Sequence, residues 1–86
     1  MRVFLYILRS EKDKGFYIGI SEDPEKRLEQ HNSGIGESTK SRAPFKLLAA
    51  KEFNDYKEAR RVEKILKKYT RIKIMKFVEK VRACPN

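Results

Sequence analysis

Two runs decide the fold: Arg2-Val3-Phe4-Leu5-Tyr6-Ile7-Leu8-Arg9-Ser10 and, beyond the charged stretch Glu11–Gly15, Phe16-Tyr17-Ile18-Gly19-Ile20-Ser21. Both are rich in β-branched and aromatic residues and read as strands. The link between them is charged and ends in Gly, a turn signal. Consecutive strands joined by so short a link form an antiparallel hairpin.

Working outward, Asp23-Pro24 marks a helix start. Asp is a favourable N-cap, and Pro suits the first helical position because its missing N–H is not needed there. This helix runs to about Asn32. Ser33–Pro44 carries Gly34, Gly36 and Pro44 with hardly an apolar residue, and reads as a long mobile surface loop. Loops of that length inside a compact domain are often functional. Phe45–Phe53 is a third strand. Asn54 or Asp55 caps a helix reaching about Tyr69, and Thr70 opens a last helix to about Val81. No repeat, linker or low-complexity tract interrupts residues 1–86, which read as a single domain. The order β-β-α-β-α-α is an α+β fold, a small three-stranded sheet flanked by helices.

Eighty-six residues allow one modest core, for which a hydrophobic content of 40% is enough. Twenty-one Lys and Arg stand against twelve Asp and Glu, a net charge of +9. So dense a cationic surface attracts polyanions. Nucleic acid is the commonest such partner, and an anionic membrane surface is the other. The apolar run Val3–Leu8 is far too short for a membrane span, and no small-residue cleavage site follows it. Cys84 is the only cysteine, so no intramolecular disulfide forms. That fits a reducing compartment and a cytoplasmic protein.

Three places carry candidate chemistry. On the helix from Asp55, Tyr56, Ala59, Val62, Leu66 and Tyr69 recur at intervals of three and four and form the apolar stripe that packs on the sheet. Glu63 projects onto the same face. A carboxylate there is costly unless it meets a cation or hydrogen-bond donors. Either it pairs with Arg60, Lys64 or Lys67, or it is a metal ligand or catalytic acid on the inner face. On the first helix Arg27 and His31, the only histidine, are four apart and share a face. Arg27 is suited to gripping a phosphate through two parallel hydrogen bonds. The alternative is a solvated Arg beside a partly buried His. In the hairpin Tyr6 and Tyr17 lie mid-strand, and Gly19 shares the face of Tyr17. A strand Gly often marks close approach of another backbone or a ligand, although strand tyrosines are more often core residues.

Phe4-Leu5-Tyr6 followed by Tyr17-Ile18-Gly19 resembles the paired motifs that name the GIY-YIG nuclease superfamily. Asp23–Asn32 resembles that family's first helix, where an Arg is a signature residue. Ala59-Arg60-Arg61-Val62-Glu63-Lys64 resembles the helix carrying its metal-binding Glu. His31-Asn32 with Gly34, Gly36, Lys40, Arg42 and Pro44 is similar to the small single-domain bacterial members. The resemblance covers about residues 2–69.

The resemblance implies a metal-dependent endonuclease hydrolysing phosphodiester bonds in DNA, structure-selective in repair or recombination. Glu63 would hold Mg²⁺ or Mn²⁺, Arg27 would steady the attacked phosphate, and Tyr6 with Tyr17 would orient or deprotonate the attacking water. His31 would serve as a second proton carrier, and all five would converge on one concave surface. The chain departs from the pattern in two places. Phe4 stands where the first motif has Gly, and 73–76 lacks the Asn that many catalytic members carry. A catalytically weak or inactive nucleic-acid-binding module is therefore the alternative, and a protein-interaction domain a third reading. Many members are fused to a DNA-binding domain, so a protein partner would supply specificity here. Affinity would otherwise come from Lys67, Lys68 and Arg71 on the last helices, from Lys40 and Arg42 in the loop, and from close approach at Gly19. No base-reading motif is visible.

Overall fold

In the computed structural model, which describes residues 2–33 and 42–83, the elements follow in the expected order. They are β1 (Val3–Ser10), β2 (Phe16–Ser21), α1 (Pro24–Asn32), β3 (Phe45–Phe53), α2 (Tyr56–Leu66) and α3 (Arg71–Ala83). Lys40 and Cys84, with Gly34 and Gly36, lie outside the described residues. The sheet is antiparallel with order β2-β1-β3. The central strand is covered on both sides, which is why Leu5, Tyr6, Ile7 and Leu8 are all buried in succession.

Strand alternation divides the interior into two cores. On one face Leu5, Ile7, Ile18 and Ala49 pack with Leu66 of α2 and Ile74 and Val78 of α3. On the other, Tyr6, Leu8 and Phe45 pack with Tyr17, Leu47 and Leu28 of α1. Full burial of each large apolar side chain contributes about 1.5–3 kcal/mol. A bulge in the β1–β3 ladder, where Ile7 faces Ala49 but Leu8 faces Leu47, reverses the alternation of β3. Phe45 and Leu47 thereby reach the α1 side while Ala49 stays on the other.

Side-chain caps fix the helix starts. Asp23 accepts from the Lys26 amide at 3.1 Å and Asp55 from the Lys57 amide at 2.9 Å. The Thr70 hydroxyl accepts from the Lys73 amide at 3.3 Å. Asn32 joins α1 to β3, its Oδ1 accepting from the Phe45 amide at 2.6 Å and its Nδ2 donating to the Phe45 carbonyl at 3.2 Å.

Two expectations change. Helix α2 ends at Leu66, and the amides of Lys68 and Tyr69 bond back to Ile65 and Leu66 in a tight turn. The apolar stripe packs only through its middle: Ala59 and Leu66 are buried, whereas Tyr56 is 52% and Tyr69 39% exposed. Among the described residues no helix is long and apolar enough to cross a membrane.

Candidate active site

Tyr6 is the centre of the site. It sits on β1 directly opposite Gly19 of β2. A Cβ built on Gly19 would lie 2.5 Å from the Tyr6 hydroxyl oxygen and 2.6 Å from ring carbon Cζ. The phenol therefore lies across the bare backbone of Gly19 and reaches toward the sheet edge formed by β2. The close approach expected at Gly19 is made by this ring.

Helix α1 places His31 over the same region. Its Nε2 is 3.3 Å from the Tyr6 hydroxyl, and its ring is 4.7 Å from that of Tyr17, centroid to centroid. Tyr17 stacks on Tyr6 at 6.3 Å, and Phe45, turned inward by the bulge, closes the cluster beside Tyr17 and His31. Arg27 stands one turn before His31, exposed, with Nη1 donating to Gln30 Oε1 at 2.9 Å.

The electrostatics follow from burial and from these charges. Burial raises the Tyr6 phenol above its ordinary range. Hydrogen bonding to Arg27 opposes the rise, and the charges of Tyr17 and Glu63 add to it. Burial lowers the His31 imidazole, and the positive charge of Arg27 lowers it further. Around neutral pH Tyr6 holds its proton and His31 is neutral.

Glu63 arrives from the other layer. Helix α2 packs on the face of Leu5 and Ile7, opposite α1. The five residues thus do not lie on one face of the sheet, as the concave-surface expectation required. Tyr6, Tyr17 and His31 are in contact, Arg27 acts on both Tyr6 and His31, and Glu63 is linked to them through its charge on Tyr6. Tyr17 and Lys67 line one groove of about 230 Å³. The Glu63 side chain is 12% exposed and pairs with Lys67 Nζ at 3.3 Å. Both readings of this carboxylate therefore find an observation: it has a cationic partner, and its charge reaches Tyr6.

Among the described residues no three His, Cys, Asp or Glu side chains cluster as metal ligands. One half-buried carboxylate still suits Mg²⁺ or Mn²⁺, hard ions that commonly bind through one or two carboxylates, retained water and substrate phosphates.

The basic residues divide. Lys68 is exposed on the turn after α2. Arg71 donates from Nη2 to the Lys14 carbonyl at 3.2 Å. Arg42 has partners within the domain. Its Nε donates to Asp13 Oδ2 at 2.8 Å, Nη2 to the Phe16 carbonyl at 3.3 Å, and its own carbonyl accepts from the Ser10 hydroxyl. This guanidinium holds the Asp13 carboxyl down at about 2. The roles of Asp13 as partner of Arg42 and of Phe45 beside His31 escaped the sequence reading. Only the polar turn around Asp13 offered a local signal.

Residues 2–76 match the model of the GIY-YIG catalytic domain. The chain is 38% identical to UPF0213 protein YazA of Bacillus subtilis over 92% of its own length and 80% of that protein. It is 39% identical to a UPF0213 protein of Streptococcus agalactiae, over 79% of this chain and 77% of that one. The solution NMR structure of a UPF0213 protein from Bacillus halodurans superposes with a TM-score of 0.59 at 35% identity, covering 92% of this chain and 84% of that one. With the family's two strand motifs paired across the sheet and its Arg and Glu helices on either side, the chain belongs to the GIY-YIG family, among small single-domain relatives of the UPF0213 type.

Proposed function

We propose that this domain is a cytoplasmic, divalent-metal-dependent endonuclease that hydrolyses phosphodiester bonds in DNA. What supports the reading is the Tyr6–His31 pair, which feels the charge of Arg27 and, at Tyr6, that of Glu63. A buried phenol with a raised pKa is a poor base alone. A neutral imidazole 3.3 Å away gives its proton a destination. Tyr6 orients the attacking water and takes its proton as its own passes to His31, a relay suited to near-neutral pH. Arg27, exposed beside them, binds the phosphate and offsets charge that grows as attack proceeds. Glu63 would be the residue that holds Mg²⁺ or Mn²⁺. The ion, when bound, supplies polarisation of a phosphoryl oxygen and stabilisation of the leaving group.

Incubation with plasmid and branched DNA tests this directly. Cleavage is expected with Mg²⁺ or Mn²⁺ and none with a chelator. His31 must be neutral to accept the proton, and its pKa is depressed, so the acid limb of the rate should fall below the ordinary His value of about 6.5. An acid limb above that value removes His31 from the relay. Failure to cleave with any metal removes the nuclease reading.

The second reading is a nucleic-acid-binding module without turnover, favoured by the ion pair that occupies Glu63. Either way the cationic turn should bind phosphates without regard to sequence. Replacing Lys67, Lys68 and Arg71 by Ala should weaken binding to all sequences alike and flatten the salt dependence by roughly one unit per lost phosphate contact. An unchanged salt slope in a binding titration would leave that charge a solubility feature. A protein partner that selects the substrate belongs to the same proposal, as no base-reading element is seen among the described residues.

A further inference from the structure

A further groove among the described residues lies beside the candidate site and outside it. It holds about 390 Å³, within the range of ligand clefts, between the β1–β2 hairpin and α3. Its lining has two characters. Phe16 and Met75 are half-buried and Ile72 is 69% exposed, an unusual expense of apolar surface on so charged a protein. Around them stand Arg9, Lys14, Arg71 and Lys76 against the single acid Glu79. The Arg71 guanidinium bonds the Lys14 carbonyl, fastening α3 to the hairpin tip across the groove. Phe16 also lines the smaller groove that contains Tyr17 and Lys67, so the two grooves adjoin at this residue.

We propose that this groove receives an unpaired nucleotide next to the scissile phosphate, making single-stranded or flapped nucleic acid the preferred substrate over continuous duplex. An aromatic and aliphatic lining matches the face of a base, and a cationic rim matches the phosphates on either side of it. A duplex keeps its base faces stacked within the helix and can use only the rim. A membrane surface would call for a convex apolar face, whereas this one is a cleft. The inference deepens the nuclease reading and rests on the Tyr6–His31 pair as the cleavage site.

Binding measured in chelator separates the two claims. A labelled single-stranded oligonucleotide should bind about tenfold more tightly than a hairpin duplex of matched charge, the effect of roughly one stacked base. Phe16→Leu keeps an apolar side chain against the core but removes the ring. Ile72→Glu alters a helix-surface residue that packing does not hold. Each should lower single-strand affinity by about tenfold and duplex affinity far less. Equal wild-type affinity for the two forms overturns the proposal, as does wild-type single-strand affinity in both variants. Displacement of the strand by a nucleoside monophosphate at equal concentration marks a small-molecule site and overturns it too. Discrimination without cleavage under any metal would uphold the groove and fell the nuclease reading alone.

Discussion

Glu63→Gln should abolish metal-dependent cleavage while leaving the domain folded and able to bind DNA. Gln keeps the shape but removes the charge that a hard divalent ion needs. The loss should be the full metal contribution, several kcal/mol of transition-state stabilisation, each ~1.4 kcal/mol being tenfold in rate. Stability should move little. The ion pair with Lys67 is an i,i+4 pair with a half-exposed Lys, and such pairs contribute about 0.3–0.5 kcal/mol. Removing a carboxylate that is only 12% exposed offsets even that loss, since its desolvation is costly. Mg²⁺ should therefore raise the melting temperature of the wild type and not of the variant. Plasmid nicking and melting, each with and without Mg²⁺, form the paired measurement. Nicking that survives the substitution takes the metal away from Glu63.

Gly19→Ala has the second large effect, and it acts on both fold and chemistry. The added methyl would lie 2.5 Å from the Tyr6 hydroxyl and 2.6 Å from Cζ. Tyr6 is 1% exposed, so its ring has no free space to swing into. Overpacking of this kind costs about 1–3 kcal/mol, and each kcal/mol lowers the melting temperature of a domain this size by about 4–8 °C. Any accommodation displaces the hydroxyl from His31 Nε2, and misplacement by about 1 Å costs around 10²-fold in rate. Tyr6→Leu in the same chain should relieve the clash, so the pair of substitutions should destabilise less than the sum of each alone. Gly19→Ala with unaltered melting and cleavage would mean that the ring does not depend on the bare backbone there.

Much of this was legible because its determinants are local. Hairpin, caps and strand limits each follow from a few adjacent residues: Asp23 before Pro24, Gly15 closing the turn, Phe45 opening a β-rich run. Arg27 and His31 share a helix face by spacing alone. What escaped depends on partners distant in sequence. Arg42 reads as a loose loop cation until Asp13 meets it across 29 positions. Phe45 reads as a plain strand residue until the bulge turns it toward His31. Gly19 signals that something comes close, but only the register identifies Tyr6 as the visitor. Periodicity also overstates the buried length of α2, because a stripe cannot tell where the sheet beneath it ends. A site that draws on both faces of the sheet is hidden for the same reason.

The sharing of β1 by both cores has a consequence for motion. Loosening α1 uncovers Tyr6 and Leu8, and loosening α2 and α3 uncovers Leu5 and Ile7, their neighbours on the same strand. Both layers rest on this one strand, so it is shielded from solvent on each face. Amides of the central strand then exchange with solvent chiefly when the whole molecule unfolds. The tyrosine at its middle inherits that protection: its position is as durable as the fold itself.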